Sequence, residues 1–104
     1  MTATALHYRD CTLNAEGFLQ KPEEWNDEIA NEIAAEHGIT LTDRHWLVVR
    51  FMRDRFLTTG TAPTIRSLGK ESGVPVKELY QLFPKGPAKL AAKTGGIPKP
   101  HGCI

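Results

Sequence analysis

Apolar residues recur at helical spacing along most of this 104-residue chain. Trp25, Ile29, Ile33 and His37 follow one another every four residues, with Ala30 and Ala34 beside them. That stripe predicts an amphipathic helix. Pro22 suits its first turn, Glu23 and Glu24 complement its positive end, and Gly38 supplies the stop. Thr42 caps a second helix, with Asp43 in the first turn. Trp46, Val49, Met52 and Phe56 line one side of it, and Leu47, Val48 and Phe51 widen that surface, so this helix is expected at the centre of the fold. Arg50, Arg53 and Arg55 occupy its remaining face, and Thr58-Thr-Gly60 ends it. Pro63-Thr64 opens a short third helix, with Ile65 and Leu68 inward and Gly73 as its end. Pro75 precedes a fourth, Val76 to Phe83, with Leu79, Tyr80 and Phe83 inward and Pro84 as its stop. Gly86-Pro87 starts a last short helix, Ala88 to about Thr94, which Gly95-Gly96 terminates.

Ahead of the helices the period changes. Leu6-His-Tyr8 and Cys11-Thr-Leu13 alternate weakly, and Asn14-Ala-Glu-Gly17 reads as a four-residue turn before Phe18-Leu19. A small β-hairpin or meander is expected there, too small to stand alone. Residues 1–104 thus form one mainly α domain, a helical bundle with a small β element in front and a loose tail, residues 95–104, behind.

Composition narrows the function classes. Hydrophobic residues make up 40% and charged residues 24%, enough for a folded core, and the net charge is +1. A chain so close to neutral has no field to hold nucleic acid by backbone charge alone. No apolar run approaches the ~20 residues of a membrane span. The start, Met1 to Arg9, has neither a basic region nor a long apolar run, so no signal peptide is expected. The two cysteines, Cys11 and Cys103, make a poor disulfide framework. A cytoplasmic protein with reduced thiols is the expectation. His7, His37, His45 and His101 lack a ligand spacing and no CxxC is present, so neither a metal site nor a bound cofactor is expected. Cys11 reads as a small buried hydrophobe and Trp25 and Trp46 as core.

The tail carries the candidate chemistry. It reads Gly95-Gly-Ile-Pro-Lys-Pro-His-Gly-Cys-Ile104. Its glycines and prolines forbid helix and central strand, and the prolines keep it extended. Ten extended residues reach roughly 33 Å at most. Cys103 therefore sits on the end of an arm that could place a sulfur atom in another protein's active site. The Ile104 carboxylate should raise its thiol pKa, and Lys99 and His101 should lower it. At ~7 Å in water each such charge is worth only roughly 0.6 kcal/mol. The effects nearly cancel, so activation must come from a basic pocket in this protein or a partner. Lys85, Lys89 and Lys93, spaced four apart, form a basic ridge that could contribute. Lys85, Lys89 and the arginines of the second helix are candidates for a docking or partner surface. The alternative is that Cys103 is an ordinary residue of a tolerant terminus.

A second pattern competes. Thr64 to Phe83 has the outline of a helix-turn-helix, which in DNA-binding regulators sets its second helix in the major groove. Its polar positions are few, Lys77, Glu78 and Gln81, and Glu78 would face phosphates unfavourably. Two helices packed at an angle within a bundle explain the pattern more simply, and nucleic-acid binding is not expected.

The segments Glu16-Gly-Phe-Leu19, Pro22-Glu-Glu-Trp25, Leu41-Thr-Asp-Arg-His-Trp46, Leu82-Phe-Pro-Lys-Gly-Pro-Ala-Lys89 and Gly96-Ile-Pro-Lys-Pro-His-Gly-Cys103 resemble the DsrC/TusE family of small sulfur-carrier proteins. The order is kept from about residue 13 to the end, and the Pro-Lys-Pro-x-Gly-Cys-x ending is the specific part. The resemblance implies an orthogonal helical bundle with a small N-terminal hairpin and a mobile C-terminal arm. It implies that Cys103 carries sulfur as a persulfide, or forms a mixed disulfide or trisulfide. The implied partners are a donor sulfurtransferase and an acceptor protein: a Tus-type complex and a tRNA thiouridylase, or an enzyme of the sulfite-reductase type. The family's sulfite-reductase partners carry a second arm cysteine eleven residues before the penultimate one. Here that position is Ala92. Pairing of two arm thiols is therefore impossible, and the single-thiol, TusE-like carriers fit better, with a carrier in dissimilatory sulfur metabolism as the close alternative.

Overall fold

The computed structural model describes residues 7–98, the side chain of Arg9 excepted. Five helices follow in order: α1 (Asp27–Glu36), α2 (Asp43–Thr59), α3 (Ile65–Glu71), α4 (Val76–Leu82) and α5 (Pro87–Thr94). Two single 3-10 turns, Tyr8–Asp10 and Pro22–Glu24, precede them. The first helix therefore starts later than expected. Pro22 opens only a 3-10 turn, and Asn26 caps α1 by accepting from the Ile29 N–H at 2.9 Å. Trp25, expected on the face of that helix, lies in extended backbone before it.

The expected N-terminal hairpin does not form. No strand occurs among the described residues, and a single antiparallel bridge joins Leu13 to Leu19. The Asn14–Gly17 turn is present, with the Gly17 N–H on the Asn14 carbonyl at 3.0 Å, while Leu6 lies outside the described residues. The reason is where the backbone donors go. The Tyr8 N–H is taken by the Glu32 carboxylate of α1 at 2.7 Å, and the Thr12 N–H by Glu24 at 2.8 Å. Carboxylates replace a partner strand, and the segment packs on α1 by burying Tyr8, Cys11 and Leu19 against Ile29 and Ile33.

The centre of the fold is α5, not α2. This short helix packs against α1, α2, α3 and α4. Pro87, Ala88, Leu90, Ala91, Ala92 and Thr94 are all buried. Alanines give little hydrophobic signal in the sequence, but they let backbones approach closely, so a small helix can be surrounded. The longer α2 lies to one side and buries His45, Val48, Val49 and Met52. Leu47 on α2 and Tyr80 on α4, both expected inward, are 40% and 43% exposed. His45 is an unexpected core residue. Its Nδ1 accepts from the Thr42 N–H at 3.0 Å, which leaves Nε2 to donate to the Leu82 carbonyl at 2.9 Å. One ring thus caps α2 and fastens the end of α4 to it.

Candidate functional site

The site is built where α5 ends and the tail begins. After Thr94 the chain turns through Gly95 and Gly96, the latter at φ +69. The Gly96 N–H bonds the Lys93 carbonyl and the Ile97 N–H bonds the Ala92 carbonyl, both at 3.1 Å. This pair of bonds is the Schellman closure of a helix. Ile97 is fully buried in the main core, and the backbone is exposed again at Pro98. The first three residues of the expected arm, 95–97, thus belong to the body, and Pro98 is exposed.

Two side chains from distant segments complete this closure. The Trp25 indole N–H donates to the Thr94 carbonyl at 2.7 Å. Arg53 on α2 donates to the Gly95 carbonyl at 2.7 Å and to the Pro22 carbonyl at 3.4 Å. Its guanidinium lies 4.2 Å from the centre of the Trp25 ring, a cation–π stack. A Cβ on Gly96 would stand 2.5 Å from Trp25 Cδ1, so only glycine lets the chain pass this ring. Desolvation lowers the Arg53 pKa from the ordinary arginine value, but a guanidinium stays charged. Trp25, Arg50, Arg53, Asp54 and Leu57 line a groove beside this joint. One polar atom in the closure is unsatisfied: the buried Thr94 hydroxyl has no hydrogen-bond partner.

The predicted site residues divide. Cys103, Lys99 and His101 lie outside the described residues. Lys85 and Lys89 are brought together with Lys93, His37 and Glu16 along a second groove that Leu90 floors. There desolvation first, then Lys93, lowers the His37 pKa, and Lys85 and Lys89 add to the same effect. Cys11 is 8% exposed, and burial chiefly, then Glu24, raises its thiol pKa. It is the small buried thiol expected. Among the described residues no group of histidines, cysteines and carboxylates could hold a metal ion. No described helix is long and apolar enough to cross a membrane. In the helix-turn-helix outline, Glu78 of α4 is engaged by the Nε and Nη2 of Arg44 at 2.7 and 2.8 Å.

The contact of Trp25 and Arg53 with the end of α5 was not legible in the sequence. Trp25 reads as core, and Arg53 as one of three arginines of a candidate docking surface. Arg53 is 42 residues from the carbonyl it binds, and Trp25 is 69.

Comparison with known proteins agrees with this geometry. A family model described as DsrC like protein matches residues 5–104. The proteins named Sulfurtransferase TusE from Escherichia coli K12 and Salmonella typhimurium are each 43% identical, over 92% of this chain and 94% of theirs. The NMR structure of Allochromatium vinosum DsrC superposes with a TM-score of 0.77 at 35% identity, covering 88% of each chain. The oxidized gamma subunit of the dissimilatory sulfite reductase, DsrC, from Archaeoglobus fulgidus superposes with a TM-score of 0.76 at 41% identity, covering 88% of this chain and 90% of that one. A mainly helical body closed around α5, matched along nearly all its length in sequence and in shape, makes this chain a member of the DsrC-like family.

Proposed function

We propose that the protein is a single-thiol sulfur carrier of the TusE type, acting in the cytoplasm. Cys103 is the carrying residue. Its thiolate attacks the outer sulfur of a persulfide on a donor sulfurtransferase, the donor's thiolate leaves, and Cys103 becomes the persulfide. An acceptor protein's nucleophile then attacks that outer sulfur, and the Cys103 thiolate is the leaving group. Both steps are exchange at sulfur with no net electron demand. The relay ends in 2-thiouridine of tRNA.

The observation that carries this reading is the 43% identity to proteins named Sulfurtransferase TusE over nearly the whole chain. Two features support it. Cys11 is buried with a raised thiol pKa, which leaves the chemistry to Cys103. Ala92 stands in the position of the second arm cysteine and α5 holds no cysteine, so Cys103 has no thiol partner on that helix. Lys85, Lys89, Lys99 and His101 are proposed to help bind the partner or activate the thiol. A second reading, a carrier in dissimilatory sulfur oxidation or sulfite reduction, is favoured by the likeness to DsrC structures.

The test is intact mass after incubation with a persulfide donor. The native protein and Cys11→Ser should each gain one sulfur, and Cys103→Ser none. Absence of gain in the native protein with every persulfide donor and sulfurtransferase tried would remove the carrier reading.

A further inference from the structure

An ordinary helix C-terminus at a protein surface leaves its last carbonyls to water. Here none of the last five is left so. The Ala91 carbonyl takes the Gly95 N–H, Ala92 takes Ile97, and Lys93 takes Gly96. Thr94 takes Trp25, and Gly95 takes Arg53. The last two are bound by side chains from outside the helix, and one of these is a partly buried cation. Both hydrogen bonds of Arg53 end on main-chain carbonyls rather than on a carboxylate. Burying a guanidinium costs solvation, and water on an exposed carbonyl would have cost nothing.

Helix closure does not require this arrangement. The Schellman bonds already stop α5, and the buried Ile97 already anchors its end. What the pair of side chains adds is direction. Trp25 bears on the chain from the segment before α1, and Arg53 bears on it from α2. Arg53 also holds the Pro22 carbonyl, so the two jaws are tied to each other as well as to the chain. Trp25 packs against both hydrophobic clusters of the body, which makes it a rigid base. The Thr94–Gly95 peptide is fixed by Trp25 and the next one, Gly95–Gly96, by Arg53, just before Ile97 and Pro98.

We infer that Arg53 is a positioning residue of the carrier: together with Trp25 it fixes the direction in which the C-terminal arm leaves the body, and so the region of space that Cys103 samples. This rests on the carrier reading for its purpose but not for its test. The role inferred for Arg53 concerns where Cys103 is found, not how fast the thiol reacts once a reagent meets it. The physical gain is a smaller search for a protein partner, because orientation supplied in advance is not lost again on binding.

The experiment is a distance distribution between two nitroxide labels measured by pulsed EPR. One label is on Cys103 and the other on Lys70→Cys, an exposed position of α3, in a Cys11→Ala background. The native joint should give a confined distribution. Arg53→Met keeps an apolar chain over Trp25 but loses both hydrogen bonds. Its distribution should widen towards the roughly 20 Å that residues 98–103 can sweep. Arg53→Lys, which can still donate to one carbonyl, should recover part of the confinement. Trp25→Phe, which deletes the bond to Thr94 and shrinks the ring under Arg53, should widen the distribution too and serves if Arg53→Met does not fold. A distribution in folded Arg53→Met that superposes on the native one overturns the inference, whatever the change in melting temperature. In parallel, the rate of Cys103 persulfidation by glutathione persulfide should be the same in the native protein and in Arg53→Met. A slower rate in the variant would mean that Arg53 acts on the thiol itself, and would also overturn it. No loading in either protein, with this and every other persulfide donor and sulfurtransferase tried, would remove the carrier reading and leave the distance result to stand by itself.

Discussion

The indole N–H of Trp25 and the guanidinium of Arg53 hold consecutive carbonyls, Thr94 and Gly95, while the guanidinium stacks 4.2 Å above the indole. Neither residue belongs to the arm, yet both decide how it starts. The stack and the two hydrogen bonds support one another. The ring gives the cation a polarisable face in place of water, and the cation keeps the ring in the orientation its N–H requires. The first expectations concern this joint.

Gly96→Ala should destabilise the protein by about 2 kcal/mol or more, because left-handed backbone costs a non-glycine residue on the order of 1–2 kcal/mol and the new methyl would also meet the Trp25 ring. Urea unfolding measures it. A loss below about 0.5 kcal/mol, the range of an indifferent surface change, would show that the joint can move aside.

Thr94→Val should be neutral or should stabilise by about 1 kcal/mol, although the position is 1% exposed. The hydroxyl there is buried without a partner, and valine of similar shape removes that desolvation cost. A clear loss of stability in thermal or urea unfolding would mean that the hydroxyl is bonded in solution.

His45→Ala should cost about 2–4 kcal/mol by urea unfolding, combining a lost cap, an orphaned carbonyl and a cavity. The ring caps Thr42, binds the Leu82 carbonyl and meets Phe83 edge-on at 5.2 Å. His45→Gln, which can still reach one partner, should lose less.

The His7–Glu32 pair should make the N-terminal segment sensitive to pH. The two side chains meet at 2.9 Å. The hydrogen bond to Glu32 raises the His7 pKa, and the hydrogen bond from His7 holds the Glu32 carboxyl below its usual value. The His7 contribution is present below the unfolded histidine pKa, about 6.5, and fades as pH rises through the folded value. The Glu32 contribution is present above the unfolded glutamate pKa, about 4.3, and fades as pH falls through the folded value. Both are complete between these limits. NMR titration of the His7 ring should give a midpoint above that of a free histidine, and Glu32→Gln should lower it.

The two cysteines should separate cleanly by alkylation. Iodoacetamide at mildly alkaline pH should modify the folded protein once, at Cys103, and Cys11 only after unfolding, since Cys11 is buried with a raised pKa. Peptide mapping checks the assignment. Equal rates at both positions in the folded protein would mean that the Tyr8–Leu19 segment opens readily.

Much was readable in the chain before it was folded. Local signals set α2, α3, α4 and α5 within a residue or two: Thr42 and Gly60, Thr64 and Gly73, Pro75, Gly86-Pro87 and Gly95-Gly96. Caps and breakers act on their own neighbours, so they are visible in sequence. The glycine- and proline-rich run before Cys103, and the alanine at position 92, are likewise properties of residue order.

Tertiary structure alone decided the rest. Whether Cys11-Thr-Leu13 pairs as a strand depends on who accepts its N–H groups, and Glu32 and Glu24 claim the Tyr8 and Thr12 donors from outside the segment. Which helix is central depends on how closely backbones approach, and the alanines of α5 win that place without any strong apolar signal. Arg53 is one of three arginines of a candidate docking surface until the fold sets Gly95 beside it. Each of these outcomes rests on donors, acceptors and surfaces far apart in the chain, and such partners are chosen only when packing brings them together. Residue order fixes that Cys103 follows a run rich in glycine and proline. That this run is packed into the body as far as Ile97, and held at Thr94 and Gly95 by Trp25 and Arg53, comes from the fold, because those partners lie far apart in the chain.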